Sequence, residues 1–372
     1  MPPARAAAIA VAAVTALSTA AIAIAATDTA TAGAAQAGAA SAGAATAGLD
    51  PTTSSLRELA QHTGLRVGTA VDMAALQADS TYRTLVAQQF SSVTPENVMK
   101  WEAVEPTQGT YNWAPADQLV DFARAHGQTV RGHTLVWHSQ NPAWLTEAAF
   151  TPAQLRALLK KHITDEVRHF KGRIWHWDVV NEAFNEDGTL RDTIWLRNLG
   201  PGYIADAFRW AHQADPKAKL YLNDYNNEGV NAKSDAYYAL VKQLLAQHVP
   251  VQGYGMQGHL GIQYGLPNNV VGNVRRFDKL GLESAFTEVD VRMPLPADPI
   301  KLSAQAQGFT TLLQGCLLAR HCVSYTLWGF TDRYSWVPGV FDGQGAALPL
   351  DENLVRKPAY TAIHDTLALA GR

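Results

Sequence analysis

Two glutamates stand where acid–base chemistry would want them. Glu182 closes the run WDVVNEAFN, and Glu288 lies in FTEVDVR. A facing pair of carboxyl groups is what cleavage of a glycosidic bond requires. One protonates the leaving oxygen, and the other attacks the anomeric carbon or activates a water. Double displacement with retention needs them only about 5 Å apart. A general acid must keep its proton near neutral pH, which favours apolar surroundings or a like charge nearby. Trp175, Trp177 and Phe184 are close to Glu182 in sequence, whereas Glu288 shares a strand face with Asp290 and is placed to meet His259. Polar support of that kind favours an ionised nucleophile. The residues alone therefore order Glu182 as acid and Glu288 as nucleophile. The opposite order stays open, as does a structural salt bridge at either position.

The elements that must hold such a pair are legible as short β-rich runs. They fall near 66–72, 91–97, 129–137, 174–182, 219–226, 253–260, 284–292 and 324–330. Successive starts are 25 to 45 residues apart, room for one crossover helix each. Helical patterns occupy the gaps, as at 151–170 and 233–248, with Thr151 as N-cap and Pro152 in the first helical position. The strands are apolar, as expected when both faces are covered. Eight strands alternating with helices predict an α/β fold, a single (β/α)8 TIM barrel over residues 51–372. A doubly wound open sheet is the alternative, but no glycine-rich dinucleotide turn follows the first strand. Strand after strand ends in polar or aromatic groups: Glu96-Asn97, His133 to His138, Asn181-Glu182, Asn223-Asp224, Gln257 to His259, Glu288 to Asp290, Trp328. In a parallel barrel those ends share one rim, so the groups converge on one mouth.

At these residues a known pattern is met. The chain resembles glycoside hydrolase family 10, the endo-β-1,4-xylanases. The motifs that carry the likeness are VTPENVMKWEAVEPTQGTYNW, RGHTLVWHSQNPAWL, WDVVNEAFNEDG, LYLNDYN, MQGHL, FTEVDVR and LWGFTDRYSWVPG, in that order. The resemblance implies a retaining enzyme acting on xylan and xylo-oligosaccharides, with Glu182 as acid/base and Glu288 as nucleophile. It implies Glu96, Asn97 and Lys100 as glycone-side sugar binders, and His133 and Trp137 as floor and wall around the sugar being cleaved. It implies Asn181 as partner of that sugar's 2-hydroxyl, and Gln257 and His259 as contacts beside the nucleophile, with Asp290 orienting His259. Trp328 and Trp336 become walls of the cleft, and Tyr225 an aglycone-side stacking residue. The chemistry suits sugars, whose C–H faces meet rings and whose hydroxyls meet amides, ammonium and carboxylate groups. Trp101, Trp113, Trp175, Trp195 and Trp210 are read as packing. The loop GIQYGLPNN after His259 departs from the pattern, so no contact is carried over from it.

The rest of the chain bounds the setting. Residues 1–26 read as a secretory signal: Arg5, an apolar Ala-rich run, then A-x-A triplets. A membrane anchor is the alternative, disfavoured because alanine is weakly apolar and no basic stop-transfer cluster follows. Residues 27–50 are an Ala/Gly/Thr-rich flexible segment with too little apolar surface to order itself. Export makes a disulfide the better reading for the two cysteines, Cys316 and Cys322, over two free thiols. Net charge is −3 with no basic block, so neither nucleic acid nor an anionic membrane is expected as a partner. No cofactor is expected. His133, His138 and His176 raise a metal reading, but the first strand lacks the H-x-H pair that metal hydrolases on barrels use. A secreted, extracellular monomer is the expectation.

Overall fold

The computed structural model describes residues 54–371. The signal and the flexible segment read at 1–26 and 27–50 lie outside the described residues. Eight parallel strands form a closed ring: β1 (Arg66–Val71), β2 (Ser92–Pro95), β3 (Thr129–Gly132), β4 (His176–Asn181), β5 (Lys219–Asp224), β6 (Gly253–Met256), β7 (Glu283–Pro294) and β8 (Cys322–Leu327). Each pairs with its successor, and β8 returns to β1 with Ser324 opposite Arg66 and Leu327 opposite Thr69. A helix or more fills every crossover, and Leu56–Thr63 and Pro358–Ala370 flank the ring before β1 and after β8. This is the (β/α)8 barrel that the spacing predicts.

Local signals act as written. Thr151 caps the helix Pro152–His169 by accepting from the Gln154 N–H, and Gln154 reaches back in a capping box. Every residue of β4 is buried, because the ring lies inside and helices lie outside. The tryptophans read as packing behave so at the core: Trp101 and Trp195 stack with centroids 5.7 Å apart, and His162 stacks on Trp101 at 3.8 Å. Cys316, in the helix Pro299–Leu317, is disulfide-bonded to Cys322 at the start of β8.

The strand boundaries differ from the sequence reading at the rim. β3 stops at Gly132, five residues early. The run read as 253–260 breaks into β6 and a short strand, His259–Gly261, with Gly258 at φ 80° between them. The cause is common to both. Polar residues at strand ends must turn into the mouth, and a residue that turns inward leaves the hydrogen-bond ladder. β7 runs longer than read, to Pro294. The added Met293 and Pro294 pair antiparallel with Gly345 and Gln344, just past the stretch Asp290 to Arg292 that His259–Gly261 flanks.

Candidate active site

The strand ends enclose a cleft of about 650 Å³. Glu96, Asn97, Lys100, His133, Trp137, Asn181, Glu182, Tyr225, Gln257, His259, Glu288, Trp328 and Trp336 all line it. Asp290 lies just behind, fully buried, where it joins two of the lining side chains. The residues singled out in the sequence thus come together in one place.

Glu288 is 4% exposed and surrounded by donors. Its Oε1 accepts from Arg131 Nη2 (2.9 Å) and Asn223 Nδ2 (2.8 Å), and its Oε2 meets His259 Nε2 at 3.2 Å. His133 Nδ1 stands 3.9 Å from Oε1. Burial would raise the carboxyl's proton affinity. The fields of His133, His259 and Arg131, with the His259 hydrogen bond, overcome it and hold the group well below the usual carboxylate range. His259 is itself clamped: Asp290 Oδ2 takes Nδ1 at 2.9 Å. Although burial works against its charge, the two carboxylates push its pKa to about 10. Asp290 Oδ2 also accepts from Trp336 Nε1 (2.8 Å), which fixes that indole as a wall.

Glu182 sits in a different environment. Its Oε1 accepts from Gln257 Nε2 (3.1 Å) and Asn181 Nδ2 (3.3 Å), both uncharged amides. His138 Nδ1 is 3.6 Å from Oε2, and burial pulls down that imidazole's proton affinity. The rings near Glu182 in sequence go elsewhere. Trp175 carries the Arg66 guanidinium 4.2 Å from its ring, Trp177 is buried beside Phe170, and Phe184 packs on Tyr237. The contrast between the two carboxyls is therefore one of cationic against neutral donors, and not of polar against aromatic surroundings.

Amide side chains join the pair. Asn223 Nδ2 donates to Glu288 Oε1 and also to Asn181 Oδ1 (2.9 Å), and Asn181 donates to Glu182. Asn223 Oδ1 accepts from Thr287 Oγ1 at 2.7 Å. A Cβ on Gly255 would fall 2.4 Å from that oxygen, so β6 carries glycine where Asn223 crosses it. Glu182 has a left-handed backbone (φ 57°), which is uncommon for a residue with a side chain. Its N–H donates to the Asn223 carbonyl (2.8 Å) and its carbonyl accepts from Arg191 Nε (2.9 Å), so the surroundings impose the turn.

On the opposite wall Lys100 Nζ donates to Gln140 Oε1 (2.6 Å) and Asn97 Oδ1 (2.9 Å) and lies 5.1 Å from the Trp137 ring centre. Glu96 is pushed up to about 7 by burial and by Asp72, against the pull of Lys100. Tyr225 rests on the buried Lys233 ammonium, 3.6 Å from its ring centre, and its hydroxyl accepts from Arg191 Nη2 at 2.8 Å. Trp328 meets His133 edge-on at 5.2 Å.

The sequence reading placed Asn223 at the rim without a role and left out Arg131 and Asp178. Arg131 is buried and ion-paired to both Asp178 and Glu288, and Asp178 Oδ2 also takes His133 Nδ1 (2.8 Å). A signal was available. Arg131 is two residues before His133 in the run read as one strand, and Asp178 is four before Glu182 in the run read as another, so alternation would put each on the face of a residue already chosen. Among the described residues, His133, Asp178 and Glu288 are also a geometric candidate for a metal. The Arg131 guanidinium already sits between the two carboxylates, where a cation would have to go. His176 points away and stacks on Tyr221 at 4.2 Å.

Comparison with known proteins agrees with this geometry. The family model described as glycosyl hydrolase family 10 matches residues 55–366. An endo-1,4-beta-xylanase of Agaricus bisporus is 44% identical over 313 residues, 83% of this chain and 93% of that protein. Xylanase 10B of Thermotoga petrophila RKU-1, solved with xylobiose, superposes with a TM-score of 0.82 at 42% identity, covering 86% of this chain and 98% of that one. Native xylanase 10B of Thermotoga maritima gives 0.81 at 43% identity, covering 84% and 98%. In sequence and in fold, the chain belongs to glycosyl hydrolase family 10.

Proposed function

We propose that this protein is a secreted, monomeric endo-β-1,4-xylanase that cleaves internal bonds of xylan and xylo-oligosaccharides with retention of anomeric configuration. The observation that carries the reading is the charge asymmetry across the amide bridge. Glu288 is held ionised by Arg131, His133 and His259, whereas Glu182 meets neutral amides. Glu288 attacks the anomeric carbon while Glu182 protonates the departing oxygen. Forming the glycosyl ester removes the negative charge next to Glu182. The same carboxyl then takes a proton from the water that hydrolyses the ester.

The walls support the substrate class. Trp336 is pinned by Asp290, and Trp328 is 7% exposed and wedged on His133. Fixed walls of this kind favour xylose, which lacks the hydroxymethyl group that glucose carries. Glu96, Asn97 and Lys100 supply the acceptor and donors of the glycone side, and Tyr225 a flat face on the aglycone side. The names of the Agaricus and Thermotoga relatives point to the same substrate. Export rests on the sequence pattern of residues 1–26. No helix among the described residues is long and apolar enough to cross a membrane.

Proton NMR of the first product released from xylohexaose tests substrate and stereochemistry together. The β-anomer is expected first, mutarotating later to the mixture. Initial release of the α-anomer, or no cleavage, would refute the proposal.

A further inference from the structure

Asp224 follows Asn223 at the end of β5 and is a buried carboxylate that the reaction itself does not use. Its two oxygens serve two different parts of the site. Oδ1 accepts from the Tyr225 N–H (2.8 Å) and from Lys233 Nζ (2.8 Å). That ammonium in turn carries the Tyr225 ring, 3.6 Å from the ring centre. Oδ2 accepts from the Tyr237 hydroxyl (2.6 Å) and, at 3.4 Å, from the Phe184 N–H. The Tyr237 oxygen accepts from the Ala183 N–H (3.1 Å). Residues 183 and 184 directly follow Glu182, so Oδ2 steadies the left-handed turn that aims the acid. Arg191 joins the same two parts again: Nε donates to the Glu182 carbonyl (2.9 Å) and Nη2 to the Tyr225 hydroxyl (2.8 Å).

Stability alone does not account for the pair. Lys233 is the second residue of the helix Ala232–Ala246, where the helix dipole opposes a cation. Its side chain and that of Asp224 are both 0% exposed, and the desolvation of two such charges offsets most of their attraction. Glu186, the other partner of Lys233 (3.0 Å), lies at the surface. An apolar pair of the same shape would pack as well, but it could not gather the Tyr225 and Phe184 N–H groups and the Tyr237 hydroxyl onto one group. The ammonium takes one face of the Tyr225 ring, and the ring lines the cleft, which leaves the other face to a sugar.

We infer that Asp224 and Lys233 are positioning residues for the aglycone half of the reaction, setting the Tyr225 platform in register with Glu182. This rests on the endo-xylanase reading and adds to it the residues that align a departing or incoming sugar with the acid. The test partitions one intermediate. An aryl xylobioside loads Glu288, and the ester then meets water or a hydroxyl of added xylobiose. In either case the oxygen attacks the anomeric carbon, Glu182 takes its proton and the Glu288 carboxylate departs. Transfer needs a sugar on Tyr225 and hydrolysis does not. The product ratio therefore reads the platform, and any loss of folded protein cancels. Lys233→Met should lower the transfer-to-hydrolysis ratio about tenfold. The double variant Lys233→Met/Asp224→Asn, which leaves no lone buried charge, should lower it equally. Asp224→Asn alone should cost phenyl xylobioside about tenfold more in kcat/KM than dinitrophenyl xylobioside, since a misaimed acid matters most to a poor leaving group. An unaltered ratio in either Lys233 variant, or equal losses on the two aryl substrates, overturns the assignment. Absence of transfer by the wild type, with no β-configured first product, would refute the retaining reading instead. Where the wild type transfers and the variants match it, only the Asp224–Lys233 assignment falls.

Discussion

At the scale of single residues, two identical side chains acquire opposite tasks from their neighbours. Glu288→Ala removes the attacking group but leaves the sugar-binding walls, so turnover should be lost and xylo-oligosaccharide binding kept; calorimetric titration beside a rate assay checks both. Glu182→Ala should lose natural substrates far more than aryl xylobiosides with good leaving groups, which need little protonation. Equal losses on the two would contradict an acid role. The sequence made both glutamates and most of the cleft readable because each ends a β-rich run. It hid Arg131 and the task of Asn223. Their importance lies in reaching Glu288, which is 157 and 65 positions away and becomes a neighbour only when the ring closes. It also misled on the surroundings of Glu182, since adjacency in sequence along β4 says little about which side chain a carboxyl faces, while the His259 contact expected of Glu288 is present.

At the scale of elements, the strands were readable in number and order, and their ends were not. Alternation and apolarity persist up to the point where function bends the backbone, as at His133 and Gln257, and no propensity marks that point. The helix Pro152–His169 illustrates a second kind of information absent from pattern. It buries His162 and Glu166 completely, and neither Glu166 oxygen has a hydrogen-bond partner among the described residues. Burial lowers the His162 pKa to about 3 and raises that of Glu166 well above the ordinary carboxyl value. The unfolded chain therefore gives up the Glu166 proton as pH rises past about 4.5 while the folded chain keeps it, and stability falls over that range. His162 acts in the other direction, because below about 6.5 the unfolded chain takes a proton that the folded one refuses until pH is near 3. Glu166→Gln should remove the alkaline slope only. Its stability relative to wild type should climb between pH 5 and 8, by about 1.4 kcal/mol per pH unit while the buried acid stays protonated, and its melting temperature should rise with it. Differential scanning calorimetry across that range is the check; a constant offset would contradict it.

At the scale of the whole molecule, stability rests on the closed ring, and the Cys316–Cys322 bridge adds a small increment. It closes a loop with a sequence separation of only 6, so the chain-entropy argument assigns it about 2 kcal/mol. Reductant, or the Cys316→Ser/Cys322→Ser pair, should lower the melting temperature by roughly 3–6 °C without changing the rate on xylan. The ring itself has one seam, where Arg66 to Thr69 meet Ser324 to Leu327. Gln89 is tied to Tyr360 across the same join, through the Tyr360 hydroxyl at 2.9 Å. A nascent chain emerges from the ribosome amino end first. It would carry β1 with an unsatisfied border until residue 327 has been made, and an open strand border invites pairing with the wrong chain. Closure of the site is thus deferred until β8 has been made, and a message truncated before β8 would yield an adhesive part-product in place of a weakened enzyme.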